Sequence, residues 1–381
     1  MDSIEQERER WREKAKEVAR SVVAPRAAEI DAKGEFPWDI VDVFAQHGFL
    51  SLIIPKAYGG EDADITSFCF VVEEIASYCV SSALSIIAHT VGMMPIVLGE
   101  AKELKERVLP RIVKEKALVC FCLTEPEAGS DAASIRSKAV LKGDYYILNG
   151  RKCFITNGGV ANFYTVFTVT NRQEKMEGIS GFVVEKGTPG LSVGKTEEKM
   201  GIRGSNTTEV ILEEVKVPIS QRIGDEGVGW WLMMRTLNRS RPAIGALAVG
   251  LAQGALDYAI RFVQGRQWFG RKDERMVAQT ELANLAVEIE AARALVYKSS
   301  RMMDEKVKGT PVQMYSAMSK YFASDIAMKV TTEAVQILEW EGLTRHHPVE
   351  RMMRDAKVIQ IFEGTNQIQR LVVAHTLLKG K

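Results

Sequence analysis

The stretch DYYILNGRKCFITNG, Asp144 to Gly158, alternates apolar and polar residues and carries two Asn-Gly pairs. Alternation with a period of two belongs to strands, and Asn-Gly belongs to tight turns. The pattern predicts strands here, with Asn149-Gly150 closing a hairpin after DYYIL. Short β-rich runs flank it on both sides: ALVCFCLT, FYTVFTV, ISGFVVEK and TEVILEEVKVP. Their even spacing predicts a small barrel or sandwich over residues 118–222. No GxGxxG follows a strand, which argues against a dinucleotide-binding α/β domain.

Outward from this unit the period changes to three and four. Residues 1–117 read as a helical domain, with apolar faces in EIDAKGEFPWDIVDVFAQHGFL, TSFCFVVEEIASYCV and SSALSIIAHTVGMMPIVLG. Residues 223–381 read as long helices, three or four of which form a bundle. The expected class is α+β: helical domain, β domain, helical bundle. The most apolar window, Ala243 to Ile260, is interrupted by Gln253 and Asp257. Its Gly250 and Gly254, four apart, are expected to let two helices pack closely within the protein rather than in a bilayer.

The chain has 381 residues, 46% hydrophobic and 26% charged, enough for two or three units sharing a large core. Fifty basic against 49 acidic residues leave a net charge of +1, so nothing favours nucleic acid or an anionic membrane as partner. Cysteines 69, 79, 120, 122 and 153 show no metal spacing and read as reduced, buried residues. The start, MDSIEQERERWREKAKEVAR, is a charged amphipathic helix without the features of a signal peptide, and a cytoplasmic location is expected. The five histidines lack i, i+4 spacing, so no metal site is expected and surface or capping roles are assigned to them.

Three loops are candidates for chemistry. TEPEAGSD, Thr124 to Asp131, joins a hydroxyl, a proline turn, Gly129 and Ser130; it reads either as an ordinary turn or as a cradle whose N–H groups approach an anion. In NGRKCFITNGG, Phe154 and Thr156 place an aromatic face and a hydroxyl side by side, as a flat heteroaromatic ring requires. FEGTNQ, Phe362 to Gln367, sets a lone carboxylate, Glu363, before Gly364 between two apolar-periodic runs.

CFCLTEPEAGSD, NGRKCFITNG, RQWFGRKDERMVAQTELA and MMRDAKVIQIFEGTNQIQR, in this order and on this plan, resemble the acyl-CoA dehydrogenase family over nearly the whole chain. The resemblance implies a middle β-barrel, a C-terminal four-helix bundle, a homotetramer and FAD at subunit contacts. It implies that Phe121, Leu123, Thr124, Gly129, Ser130, Phe154 and Thr156 lie along the FAD, with Ser130 also near the CoA arm. Phe154 stands where tryptophan is usual. Arg266, Phe269 and Gln279 are implied to hold the FAD of a neighbouring subunit, with Gln336, and Thr365 and Gln367 to contact FAD as well. Arg241 and Gly364 are implied beside the thioester, and Leu84 and Ile87 in the acyl cavity, where no arginine awaits a distal carboxylate.

Glu363 is implied to be the base that removes the α-proton of an acyl-CoA thioester while a hydride leaves the β-carbon for the flavin N5. Where some branches carry the base on a helix, this chain has Ser240, which cannot serve. The implied product is a trans-2-enoyl-CoA and the implied electron partner an electron-transfer flavoprotein. One departure is QILEWEG, Gln336 to Gly342, where Glu339 and Trp340 replace two glycines of the family turn; side chains turned outward, stacking of Trp340 on adenine, or impaired FAD binding would follow. Two other readings remain: the same fold acting on an aromatic, cyclic or dicarboxylic thioester or as an oxidase, and a helical scaffold without flavin.

Overall fold

In the computed structural model, which describes residues 3–266, 272–307 and 309–378, apolar spacing of three and four produces six α-helices ahead of any strand. They are α1 (Ser3–Val18), α2 (Ala24–Lys33), α3 (Trp38–Gln46), α4 (Ile65–Ala76), α5 (Val80–Leu98) and α6 (Lys102–Lys114). Helices α4 and α5 are buried almost all round and form the inner layer. Asp64 caps α4 by accepting from the Ser67 N–H at 2.7 Å, which satisfies one of the donors a helix start leaves free.

Seven strands follow: β1 (Val119–Cys122), β2 (Lys138–Lys142), β3 (Tyr145–Thr156), β4 (Phe163–Val169), β5 (Ile179–Glu185), β6 (Leu191–Thr196) and β7 (Thr207–Pro218). The expected barrel is one curled sheet with the path β1-β4-β2-β3-β7-β6, and β5 pairs with β4. Strand β4 meets β1 and β2 in parallel and β5 antiparallel.

The Asn149-Gly150 reading needs correction. Asp144 to Thr156 is not a hairpin: β3 runs without a turn from Tyr145 to Thr156, paired with β7 throughout, and Gly150 sits at a β-bulge. A Cβ on Gly150 would lie 2.1 Å from Ser137 Oγ, so glycine is needed for the close approach of a neighbouring segment rather than for a turn. The hairpin turn lies earlier, where β2 pairs antiparallel with β3 up to Lys142 and Tyr145. A second register shift, between Lys152 and Ile155, turns Phe154 out of the sheet.

Helices α7 (Gly229–Gly265), α8 (Lys272–Asp304), α9 (Thr310–Leu338), α10 (Val349–Ile359) and α11 (Asn366–Leu378) complete the chain, two short helices beyond the long ones that the pattern predicts. Helix α7 packs on α9, α8, α4 and α5, so the N-terminal and C-terminal helices share one core. At Gly250 and Gly254 an added Cβ would lie 2.2 Å from the Glu73 carbonyl oxygen and 2.0 Å from that of Ser77, which is why α7 can lie directly on the end of α4. Helices α5 and α7 are long and apolar enough to cross a membrane, but 94% and 78% of their apolar windows are buried inside the protein.

Candidate active site

The turn between α10 and α11 carries two consecutive left-handed residues, Glu363 at φ +55° and Gly364 at φ +83°. A Cβ on Gly364 would lie 2.5 Å from Gln369 Nε2, so that position has neither the backbone freedom nor the room for another residue. Glu363 is strained, and backbone strain of this kind persists where the surroundings hold it. Gln369, fully buried on α11, donates from Nε2 to the Glu363 carbonyl at 3.3 Å and the Gly364 carbonyl at 3.1 Å. Lys320 on α9, also without exposed surface, donates to the Gly364 carbonyl at 3.0 Å.

This frame aims the Glu363 side chain at α7. Its Oε2 accepts from Ser240 Oγ at 3.1 Å, and Arg241 and Lys320 supply positive charge nearby. Glu363 as a residue is half-buried, yet the protein atoms around its carboxylate push its pKa up, and Ser240, Arg241 and Lys320 only partly offset this. Burial lowers Arg241 to about 10 against the opposing pull of Glu363. Its Nη1 donates to Asn238 Oδ1 at 2.9 Å, while buried Nε has no partner among the described residues. Among the described residues no donor reaches Glu363 Oε1, and the Glu363 N–H has no acceptor. A free carboxylate oxygen and a free backbone donor thus belong to one residue.

The two middle loops are joined to each other. The Cys153 N–H donates to the Thr124 carbonyl at 2.9 Å, which brings Leu123 and Thr124 beside Phe154. Behind them Lys152, with no exposed surface, donates from Nζ to Glu125 Oε1 at 2.7 Å and the Leu123 carbonyl at 3.1 Å. Glu125 also accepts from the N–H groups of Arg136 at 2.6 Å and Ser137 at 3.0 Å. Phe154 stands at φ +55° with 63% of its surface exposed, an aromatic held outward by the bulge. Gly129 and Ser130 are exposed, and nothing lies within 4 Å of a Cβ built on Gly129. Phe121 and Thr156 are half-buried, and Leu123 is buried.

Asn157, directly after Thr156, donates from Nδ2 to the Ser85 carbonyl at 3.2 Å and so ties this edge to α5, where Leu84 and Ile87 are buried. Thr365 Oγ1 accepts from the Ile368 N–H at 3.3 Å, and Gln367 is exposed. Arg266 is not near Glu363. From Ser240 to Arg266 is 26 residues along α7 and its end, roughly 39 Å at the helical rise. Arg266 instead pairs with Glu339 at 2.9 Å, Gln279 and Gln336 are exposed, and Trp340 is 70% exposed. Both side chains of the Glu339-Trp340 departure are exposed, Glu339 held by Arg266. Phe269 lies outside the described residues.

Several of these residues escape sequence reasoning. Lys320 carries a signal: buried residues of α9 recur at Ser316, Lys320, Ser324, Ala327 and Thr331, and a lysine within that stripe must be buried. Gln369 and Lys152 carry weaker ones. The histidine assignment also needs correction. His47 follows α3 as a cap, but His89 is fully buried, one ring nitrogen 2.8 Å from the Leu50 carbonyl and the other accepting from the Val119 N–H at 3.1 Å, and burial lowers its pKa to about 4. Cys120 and Cys122 do share one face of β1, 3.6 Å apart, and all five cysteines are buried.

Three family profiles match the chain end to end: "Acyl-CoA dehydrogenase, N-terminal domain" over residues 5–116, "middle domain" over 120–215 and "C-terminal domain" over 227–378. Cyclohexane-1-carbonyl-CoA dehydrogenase of Geobacter metallireducens is 44% identical, over 96% of each chain. The solved structure of butyryl-CoA dehydrogenase from Megasphaera elsdenii superposes with a TM-score of 0.94 at 37% identity, covering 99% of each chain. A chain from a structure described as the electron transferring flavoprotein of Acidaminococcus fermentans superposes at 0.95 with 38% identity, over 100% of this chain and 99% of that one.

Proposed function

The chain belongs to the acyl-CoA dehydrogenase family, FAD-dependent oxidoreductases of acyl-CoA thioesters, and from that premise we propose that Glu363 is its catalytic base. The observation that carries this reading is the turn itself: a raised-pKa carboxylate with one oxygen on Ser240, the other free, and its own N–H unpartnered. Glu363 Oε1 takes the α-proton. An α-C–H is too weak an acid for a solvated carboxylate, so the thioester carbonyl needs a donor where enolate charge develops. The Glu363 N–H is that donor, and the left-handed turn aims it.

The residues present fit FAD. Space is open at Gly129, the bulge holds Phe154 outward as an aromatic face, and Thr156 follows with a hydroxyl. Phe121, Leu123, Thr124, Gly129, Ser130, Phe154 and Thr156 would line the flavin and pyrophosphate, with Thr365 and Gln367 beside them. Bound FAD supplies the acceptor for the β-hydride. Arg266, roughly 40 Å from Ser240 by the helical rise, serves this site only from a neighbouring subunit, and with it we place Gln279 and Gln336; this supports an assembly of several subunits, taken here as a homotetramer. Arg241 and Gly364 contact the thioester, and Leu84 and Ile87 back the acyl chain.

The substrate is a neutral acyl-CoA, and the 44% identity to a cyclohexane-1-carbonyl-CoA dehydrogenase favours an alicyclic ring as a second reading beside a short or medium chain. A cytoplasmic location, a place in fatty acid β-oxidation and an electron-transfer flavoprotein as acceptor complete the proposal; the likeness to a chain in the Acidaminococcus structure supports the last. Anaerobic addition of butyryl-, octanoyl-, cyclohexane-1-carbonyl- and glutaryl-CoA tests it. Bleaching of the flavin band by a neutral thioester is expected; no bleaching by any sinks the reading. Hydrogen peroxide released during turnover would point to an oxidase.

A further inference from the structure

Lys320 is a buried ammonium that the base reading leaves without a role. It has no exposed surface, yet it is held by neutral acceptors: the Gly364 carbonyl at 3.0 Å and Asn366 Oδ1 at 2.8 Å. Burying a cation costs several kcal/mol unless charge nearby compensates it. The charged groups that face it are Glu363 from the turn, Asp325 from its own helix and Arg241 from α7. Asp325 is already engaged, accepting on Oδ1 from Asn366 Nδ2 and Gln360 Nε2, both at 2.7 Å, and on Oδ2 from Arg370 at 2.8 Å. That leaves Glu363 as the compensating carboxylate.

We infer that Lys320 is a positioning residue for Glu363: its ammonium holds the left-handed turn by the Gly364 carbonyl and sets a positive charge on the residue next to the base. The inference rests on Glu363 being the base. Asn366 transmits the hold. Its Oδ1 takes Lys320 and Ser324, its Nδ2 reaches Ser324 and Asp325, and its N–H donates to the Gln360 carbonyl at 3.0 Å, so the turn is closed across its mouth. Burial lowers Lys320 to about 7, with Glu363 and Asp325 opposing and Arg241 adding to the fall. Glu363 is faced by Arg241, Lys320 and the Ser240 hydroxyl, so loss of one cation leaves a single charge against its burial.

The test is the pH profile of kcat/KM for the FAD-loaded enzyme and its Lys320→Met and Lys320→Gln variants, with infrared titration of the buried carboxyl band in each. Lys320→Gln keeps a donor for Gly364 and loses the charge. In both variants the acid limb and the carboxyl midpoint are expected to move up by about one pH unit, so that kcat/KM falls about tenfold below the limb and recovers at alkaline pH. Lys320→Met is expected to lose a further fraction of the alkaline plateau, because the turn is no longer held. Folded variants with the wild-type limb and midpoint overturn the inference. So does failure of both to fold, which would place Lys320 in stability alone. Because burial also raises buried Asp355 to about 7, the Glu363 band is the one lost in Glu363→Gln; an active Glu363→Gln enzyme would refute the base reading separately.

Discussion

Replacing Lys152 by methionine removes the cation that pairs at 2.7 Å with a carboxylate of a residue 5% exposed. Burial pushes Glu125 up, but Lys152 and the groups of Ser137 and Arg136 outweigh it, so its pKa ends lowered. Lys152 is lowered too, because for a side chain with no exposed surface burial outweighs Glu125. The partners therefore register one contact with unequal success; the 2.7 Å approach and two backbone donors on Glu125 make the doubly charged pair the state at neutral pH.

Breaking a buried pair by removing one partner costs about 3–5 kcal/mol. At roughly 2–4 °C per kcal/mol for a unit of this size, Lys152→Met should lower the melting temperature by about 6 °C or more, read by flavin release on heating. The sign with pH follows. A carboxylate whose folded pKa is lowered adds stability above its unfolded pKa that is lost as pH falls through the folded one. In Lys152→Met burial acts with no cation against it, so Glu125 can protonate, and the gap to wild type should be widest at neutral pH and narrow toward pH 5. Lys152→Met combined with Glu125→Gln, which removes the orphaned charge, should recover much of the loss. A single variant within 1 °C of wild type, or a gap that does not change with pH, would refute the reasoning.

Three further outcomes are expected. Glu363→Gln should retain acyl-CoA binding, seen as a shift of the flavin spectrum, and lose kcat by about two to four orders of magnitude. Gly250→Ala gains about 1 kcal/mol of helix propensity but sets a methyl 2.2 Å from a backbone carbonyl of α4, and the overpacking cost of about 1–3 kcal/mol should win in a thermal melt, while Gly265→Ala, with none of the described residues within 4 Å of the new methyl, should not destabilise. Glu339→Gly removes the carboxylate that pairs with Arg266 at 2.9 Å and should tighten FAD retention measured by dialysis; weaker retention would mean that Glu339 orients the arginine rather than occupying it.

How far the site could be read beforehand follows from how far apart its partners lie. The change of period near residue 118 is local, and so was visible: each strand and helix declares its buried face within a few turns. Asn149-Gly150 fits two structures locally, a hairpin turn and a bulge, and what decides between them is Ser137, on a neighbouring segment. The base turn divides in the same way. Gly364 marks it locally, but the groups that set the charge of Glu363 sit 123 residues away on Ser240 and 43 away on Lys320, and no spacing rule joins them. The motif resemblance supplied what local pattern could not for the flavin edge, since those loops keep their residues together in sequence. It could not supply Lys320, whose role depends on α9 passing beneath the turn. A residue that acts by holding a carbonyl and lending charge leaves no motif of its own; its trace is a lysine on a helical face where every neighbour is buried.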